Sequence, residues 1–279
     1  MCIRDSLKRA AELHRLTDGA FDPAAGALVR AWGFLDGRPR VPSGEEIASA
    51  RACSGLRHVR LCEENLSVRF EVPGLELNFG AIGKGYALDR ALDRIRADFG
   101  IRRAMLQGGA SSVLAAGSPT GGQTGWPVGI ENPFDTTKRL ATVNLCDRAL
   151  ATAGAAHRFF EHQGRRYGHI IDPRSGCPAD AASRADGATL GSVTVLAADA
   201  ATADALATAL FVAGLDKAAE FCHNHADVAA LLVVRDRRPA PGTLPVRVVT
   251  FNLPHEDVRL EPGVGRAWTG QGVVDSAGL

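Results

Sequence analysis

The run Leu75 to Ile95, LELNFGAIGKGYALDRALDRI, decides how the chain is read. Leu75, Leu77 and Phe79 alternate with Glu76 and Asn78, which is the period of a half-buried strand. A glycine-rich turn follows, Gly80-Ala81-Ile82-Gly83-Lys84-Gly85. Leu88, Ala91, Leu92 and Ile95 then recur at helical spacing. The run predicts a strand passing through a permissive turn into a helix. Such a turn can bring bare N–H groups close to a ligand. A helix N-terminus beside Lys84 favours an anion there. The same residues also read as a tight connection with a solvated lysine. The pattern is not a Walker A loop, because Gly85 follows the lysine where Ser or Thr is required.

Working outward, the 279 residues are 46% hydrophobic and 23% charged, enough for a sizeable core. The 32 basic and 31 acidic residues are interspersed, so no basic stripe points to nucleic acid. No apolar run approaches the roughly 18 residues of a membrane span. The six cysteines form no CxxC pair, which argues against structural zinc and against a disulfide framework. The first residues, MCIRDS, run straight into an amphipathic segment without the features of an export signal. They read either as a natural start or as foreign residues 1–6 ahead of a truncated frame.

Helices are expected over 6–15, after Phe21-Asp22-Pro23, and over 44–53 behind the capping box Ser43-Gly44-Glu45-Glu46. A hairpin is expected over 57–62 and 66–71, and strands over 103–107, 113–116, 126–131, 140–145, 166–171, 192–196, 228–234 and 246–251. Ala201 to Ala213 and 217–224 read as helices. From Asp236 onward the chain is rich in Pro, Gly and Arg, and its last fifteen residues read as frayed. Without repeat or linker, residues 1–279 read as one integrated α+β unit, with mixed and antiparallel sheets flanked by helices.

Asp204 and Thr208 stand one helical turn apart and offer two oxygen ligands on one ridge. Hard cations such as Mg²⁺ take such ligands and fill the remaining positions with phosphate and water. The pair also reads as an exposed aspartate favoured by the helix dipole, with an incidental threonine. The alternating alanines from Ala201 to Ala209 favour the first reading, because close packing all round leaves a bare aspartate in need of a partner. His169 ends a strand and suits proton transfer near neutral pH, or serves as an ordinary hydrogen-bonded histidine. Asn78 offers an amide to a polar ring or a cap to the turn. Ala20-Phe21-Asp22 offers an aromatic face and a carboxylate, or an anchor with a helix cap.

Taken together, six blocks in order resemble the ApbE family of FAD:protein FMN transferases. They are TDGAFDPAAGALVRAWGF (17–34), LNFGAIGKGYALDRAL (77–92), LQGGASSVLAAG (106–117), LATAGAAHRFF (150–160), YGHIIDPRSGCP (167–178) and SVTVLAADAATADALATALFVAG (192–214). The resemblance implies a T-fold-like α+β fold, bound FAD and Mg²⁺, and transfer of FMN to a threonine of an acceptor flavoprotein with release of AMP. The acceptor would be of the redox-pump subunit type, and the placement periplasmic at the inner membrane. By position, the resemblance implies FAD contacts from Ala20, Phe21, Asp22, Asn78, Lys84, and Ile170 or Ile171. It implies metal contacts from Asp204, Thr208 and the carbonyl of Ala81, and a base role for His169.

The chain departs from the family pattern in places. Asn78 stands where an aspartate is usual. Thr152-Ala153-Gly154-Ala155 is less polar than usual. An N-terminal portion before the TDGAFD block is missing, which predicts weaker FAD binding and an uncovered sheet edge. Three further classes fit the sequence: a flavin-binding protein without catalysis, an FAD pyrophosphatase, and a purely structural domain that binds no flavin.

Overall fold

A computed structural model describes residues 3–62, 64–122, 124–180, 189–235 and 244–268. The first half holds α1 (Ile3–Leu16), α2 (Gly26–Ala31), α3 (Gly44–Ala52), β1 (Val59–Cys62), β2 (Ser67–Phe70) and α4 (Gly83–Phe99). Next come β3 (Ala104–Gly108), β4 (Ser112–Ala116), β5 (Trp126–Glu131), β6 (Arg139–Leu145) and β7 (Ala149–Gly154). After β8 (Phe159–His162), β9 (Arg165–Gly168) and β10 (Leu190–Ala197) lie α5 (Ala200–Ala213) and α6 (Leu215–Asn224). The chain closes with β11 (Ala229–Arg235), β12 (Val246–Phe251), β13 (Val258–Leu260) and β14 (Gly265–Trp268). Among the described residues no helix is long and apolar enough to cross a membrane.

Seven strands form one sheet in the order β14-β12-β11-β10-β7-β4-β3. Only the β12–β14 pair is parallel. A three-stranded sheet, β13-β6-β5, and the hairpins β1–β2 and β8–β9 complete the strands among the described residues. Both faces of the large sheet are covered, which is why β11 is an apolar run as far as Val234 and why even Ser192 and Thr194 of β10 are buried. Val193, Val195, Leu232 and Val234 pack into the core around α5. Leu196, Leu231 and Val233 pack the other way, with Leu140, Val143 and Leu145 of the smaller sheet. The expected α+β architecture with mixed sheets is therefore observed.

Three expectations are corrected. Leu75 to Phe79 pairs with no strand among the described residues. Leu75 is buried beside Ala24 and Val59, while Glu76 to Phe79 are all half-buried, so no clean two-faced alternation is seen. The polar backbone of the stretch is met by a loop: Asn78 N–H donates to the Pro23 carbonyl at 2.7 Å, and the Glu76 carbonyl accepts from Gly26 N–H at 3.0 Å. The strand expected over 166–171 ends at Gly168; beyond it Ile171 makes only an isolated antiparallel bridge with Pro178, ahead of the turn at 172–176. The tail expected to be frayed, residues 265–279, opens instead with β14, which pairs with β12. Residues 269–279 of that tail lie outside the described residues, as do residues 236–243, Met1 and Cys2.

α4 and α5 are the pair that builds the site. Gly85 lets them touch: a Cβ there would lie 2.0 Å from the Ala200 carbonyl oxygen, a backbone atom that cannot step aside. Each helix places a carboxylate on the other's N-terminus, where N–H groups lack helical partners. Asp204 of α5 accepts from Gly85 N–H at 2.8 Å. Asp89 of α4 accepts from Ala200 and Ala201 N–H at 2.8 and 2.9 Å. Burial pushes the Asp89 carboxyl above the usual carboxylate range, with the two N–H groups working against the shift.

Candidate functional site

One cleft of about 530 Å³ collects every residue singled out in the sequence: Ala20, Phe21, Asp22, Asn78, Ala81, Lys84, His169, Ile170, Ile171, Asp204 and Thr208. They come from four stretches far apart in the chain. The cleft is built where the glycine turn, the β4–β7 end of the large sheet, the β9 exit and α5 meet.

At its floor, Asp204 has only 5% of its side chain exposed. A buried carboxylate is tolerated only with partners, and Asp204 has them. Ser112 Oγ–H donates to Oδ1 at 2.5 Å. Gly85 N–H and the Lys84 ammonium share Oδ2, the latter at 3.4 Å. The structure thus decides against the exposed-aspartate reading. α5 is buried on nearly every side, and the alanines are what permit it. Thr208, one turn further along, is half-buried and lines the same cleft.

The glycine turn forms the next wall. Asn78 Oδ1 accepts from Gly80 N–H at 2.8 Å, closing a side-chain turn that leaves its NH₂ group as a donor. Lys84 Nζ donates to the Gly80 carbonyl at 3.3 Å and is 40% exposed, so its charge remains open to the cleft. Ala81 has no polar side chain and can offer a cation only its carbonyl.

On the opposite wall His169 follows β9. Its Nδ1 lies 3.1 Å from the Arg158 carbonyl oxygen. A carbonyl only accepts, so Nδ1 carries the proton and Nε2 keeps a free lone pair. Burial lowers the His169 pKa below the ordinary histidine value. The bond to the Arg158 carbonyl opposes that shift, and the positive charges of Arg158 and Lys84 add to it. The ring is thus neutral near pH 7. Aromatic packing fixes its position. The Phe160 and Tyr167 rings stack at 5.2 Å across the β8–β9 hairpin, Trp32 meets Tyr167 at 5.5 Å, and the edge of Phe34 lies against His169 at 6.3 Å. Trp32 Nε1–H donates to the Gly176 carbonyl at 2.8 Å, tying down the turn after Ile171. The Arg158 guanidinium donates to the Phe34 carbonyl.

Ile170 and Ile171 are buried and present apolar surface to the cleft, as does Phe21. Asp22 has a structural engagement: its carboxylate accepts from Ala24 N–H at 2.8 Å and Leu56 N–H at 3.1 Å, with His14 Nδ1 at 3.5 Å. It holds the Ala20–Pro23 loop in shape, and its side chain is 6% exposed.

Sequence reasoning missed Ser112 and Arg158. Ser112 lay inside a quoted block, and a hydroxyl just after a glycine pair at a strand start was the available signal. Arg158 acts here through its backbone carbonyl, which no residue type announces.

A buried carboxylate, an open ammonium, a neutral imidazole and apolar walls in one cleft are the groups that handle a phosphate-bearing nucleotide with an aromatic ring. The chain belongs to the ApbE family, whose model matches residues 3–232. It is similar to the FAD:protein FMN transferase of Klebsiella pneumoniae, 33% identical over 221 residues, spanning 79% of this chain and 65% of that protein. The Treponema pallidum FAD:protein FMN transferase is 33% identical over 246 residues, spanning 83% and 65%. The crystal structure of the ApbE protein of Thermotoga maritima superposes with a TM-score of 0.73 at 34% identity, covering 83% of this chain and 72% of that one. The chain thus spans about 65% of the length of these curated relatives.

Proposed function

We propose that this chain is a Mg²⁺-dependent FAD:protein FMN transferase, moving FMN from FAD to a threonine hydroxyl of an acceptor flavoprotein and releasing AMP. The observation that carries the reading is the meeting of His169, Lys84 and Asp204 in one cleft, in a chain of the ApbE family. The names of the relatives support FAD as substrate. The threonine, the redox-pump type of acceptor, and a periplasmic place at the inner membrane rest on the resemblance alone.

The donor set fits a hard cation. Asp204, the Thr208 hydroxyl and the Ala81 carbonyl supply only oxygen, as Mg²⁺ prefers. The Lys84 ammonium beside Asp204 shows that the carboxylate already demands a positive partner. When bound, Mg²⁺ would supply Lewis-acid stabilisation of the pyrophosphate charge.

The protein's own groups do the rest. Ile170, Ile171 and Phe21 bury apolar ring surface, and the Asn78 amide offers a donor to its polar edge. Lys84 and the turn N–H groups offset charge on the phosphoryl oxygens. His169 Nε2 takes the proton of the acceptor threonine as its oxygen bonds to the FMN-side phosphorus. The bond from that phosphorus to the bridging oxygen breaks, and AMP leaves with the oxygen.

The test is incubation of the protein with FAD, Mg²⁺ and a threonine-bearing acceptor flavoprotein. Mass spectrometry should find the acceptor heavier by one FMN phosphoester, with AMP formed in equal amount. FMN and AMP free in solution, with the acceptor unmodified, would make it a pyrophosphatase. AMP at background would make it a carrier.

A further inference from the structure

We propose that Lys84 is the resident counter-ion of Asp204, holding the cation's place until nucleotide phosphates draw it away. The inference rests on the metal assignment made above and deepens it. Asp204 has three partners of unequal mobility. The Gly85 N–H belongs to a helix backbone wedged against Ala200, and it cannot move without separating α4 from α5. Ser112 is fully buried in β4, and its hydroxyl stays on Oδ1. Lys84 alone is long, flexible and 40% exposed, and it reaches Oδ2 at 3.4 Å.

Two cations then compete for one carboxylate. In the absence of nucleotide, an entering divalent ion meets a site whose charge Lys84 already balances. A pyrophosphate gives the ammonium a stronger set of acceptors within the same cleft, and Asp204 is released to the metal. Metal and nucleotide therefore favour each other's binding, in equal measure by linkage. The same side chain must weaken one ligand and strengthen the other, a pairing of signs that loss of structure would not produce.

The experiment measures Mn²⁺ uptake by electron paramagnetic resonance and FAD uptake by fluorescence, each ligand alone, on the full chain. Lys84→Met should bind Mn²⁺ about tenfold more tightly than the unchanged protein and FAD about tenfold more weakly. Lys84→Arg, which keeps the charge, should hold Mn²⁺ affinity near that of the unchanged protein. Asp204→Asn should remove Mn²⁺ uptake. If Lys84→Met leaves Mn²⁺ affinity unchanged or lower while Asp204→Asn abolishes uptake, the counter-ion role is wrong and the metal site stands. Unchanged FAD affinity in Lys84→Met would remove the phosphates as the force that draws Lys84 away. If Asp204→Asn leaves uptake intact, or no protein takes up Mn²⁺, the metal assignment itself falls, and this proposal with it.

Discussion

Asp204→Asn is expected to abolish metal-dependent turnover, by more than about 100-fold, while the fold persists. Asparagine keeps the shape of the side chain and removes its charge. Lys84 keeps the Gly80 carbonyl but loses its ionic partner, and the amide can hold its oxygen on Gly85 N–H with its NH₂ towards the Ser112 hydroxyl oxygen. Exchanging a charged acceptor for a neutral one at these buried bonds costs about 1–2 kcal/mol, enough to lower the melting temperature without unfolding the chain. Turnover is read from AMP formation across a Mg²⁺ titration, and the fold from circular dichroism. Activity equal to that of the unchanged protein would refute the metal assignment. Loss of the folded spectrum would assign Asp204 to structure alone.

His169→Ala should slow FMN transfer by about 10²–10⁴-fold and change FAD affinity little, because a base acts in the chemical step and not in holding the nucleotide. The pH profile gives a second readout of the same group. His169 must be neutral to accept a proton, and its pKa is lowered from 6.5 by burial. The rate should therefore stay on its plateau below pH 6.5 and fall only as pH drops through the depressed value. The sign for stability is the same. A histidine with a depressed folded pKa stabilises above its unfolded pKa, and that contribution is lost as pH falls through the window below 6.5. An acid limb at or above pH 6.5, or equal losses of binding and rate in His169→Ala, would argue against the base role.

What the sequence disclosed follows from how local each signal was. The i, i+4 spacing of Asp204 and Thr208 and the surrounding alanines are local, and they led to a buried helix with a partnered carboxylate. The capping box at Ser43 is local too, and both of its hydrogen bonds form. Alternation at Leu75–Phe79 suggested a half-buried strand, but only Leu75 is fully buried and the stretch joins no ladder, since period 2 alone does not report pairing. β13 and β14 are three and four residues long, and only partners elsewhere in the chain, β6 and β12, make them strands. The contacts that set the chemistry of His169 and Asp204 come from a backbone carbonyl at Arg158 and a small hydroxyl at Ser112, separated by 11 and 92 residues. The carbonyl is announced by no residue type, and the hydroxyl only by its place after Gly108-Gly109 at a strand start.

The central claim is that the glycine turn, the His169 segment and the Asp204 helix receive one FAD molecule together with its cation. Diffraction from crystals grown with FAD and Mn²⁺ tests it most directly, because manganese scatters anomalously and substitutes for magnesium on oxygen ligands. The account predicts an anomalous peak on the Asp204 carboxylate beside Thr208, at roughly 2.1–2.3 Å, with pyrophosphate density reaching Lys84 and facing His169. A peak elsewhere, or flavin density outside this cleft, would contradict it.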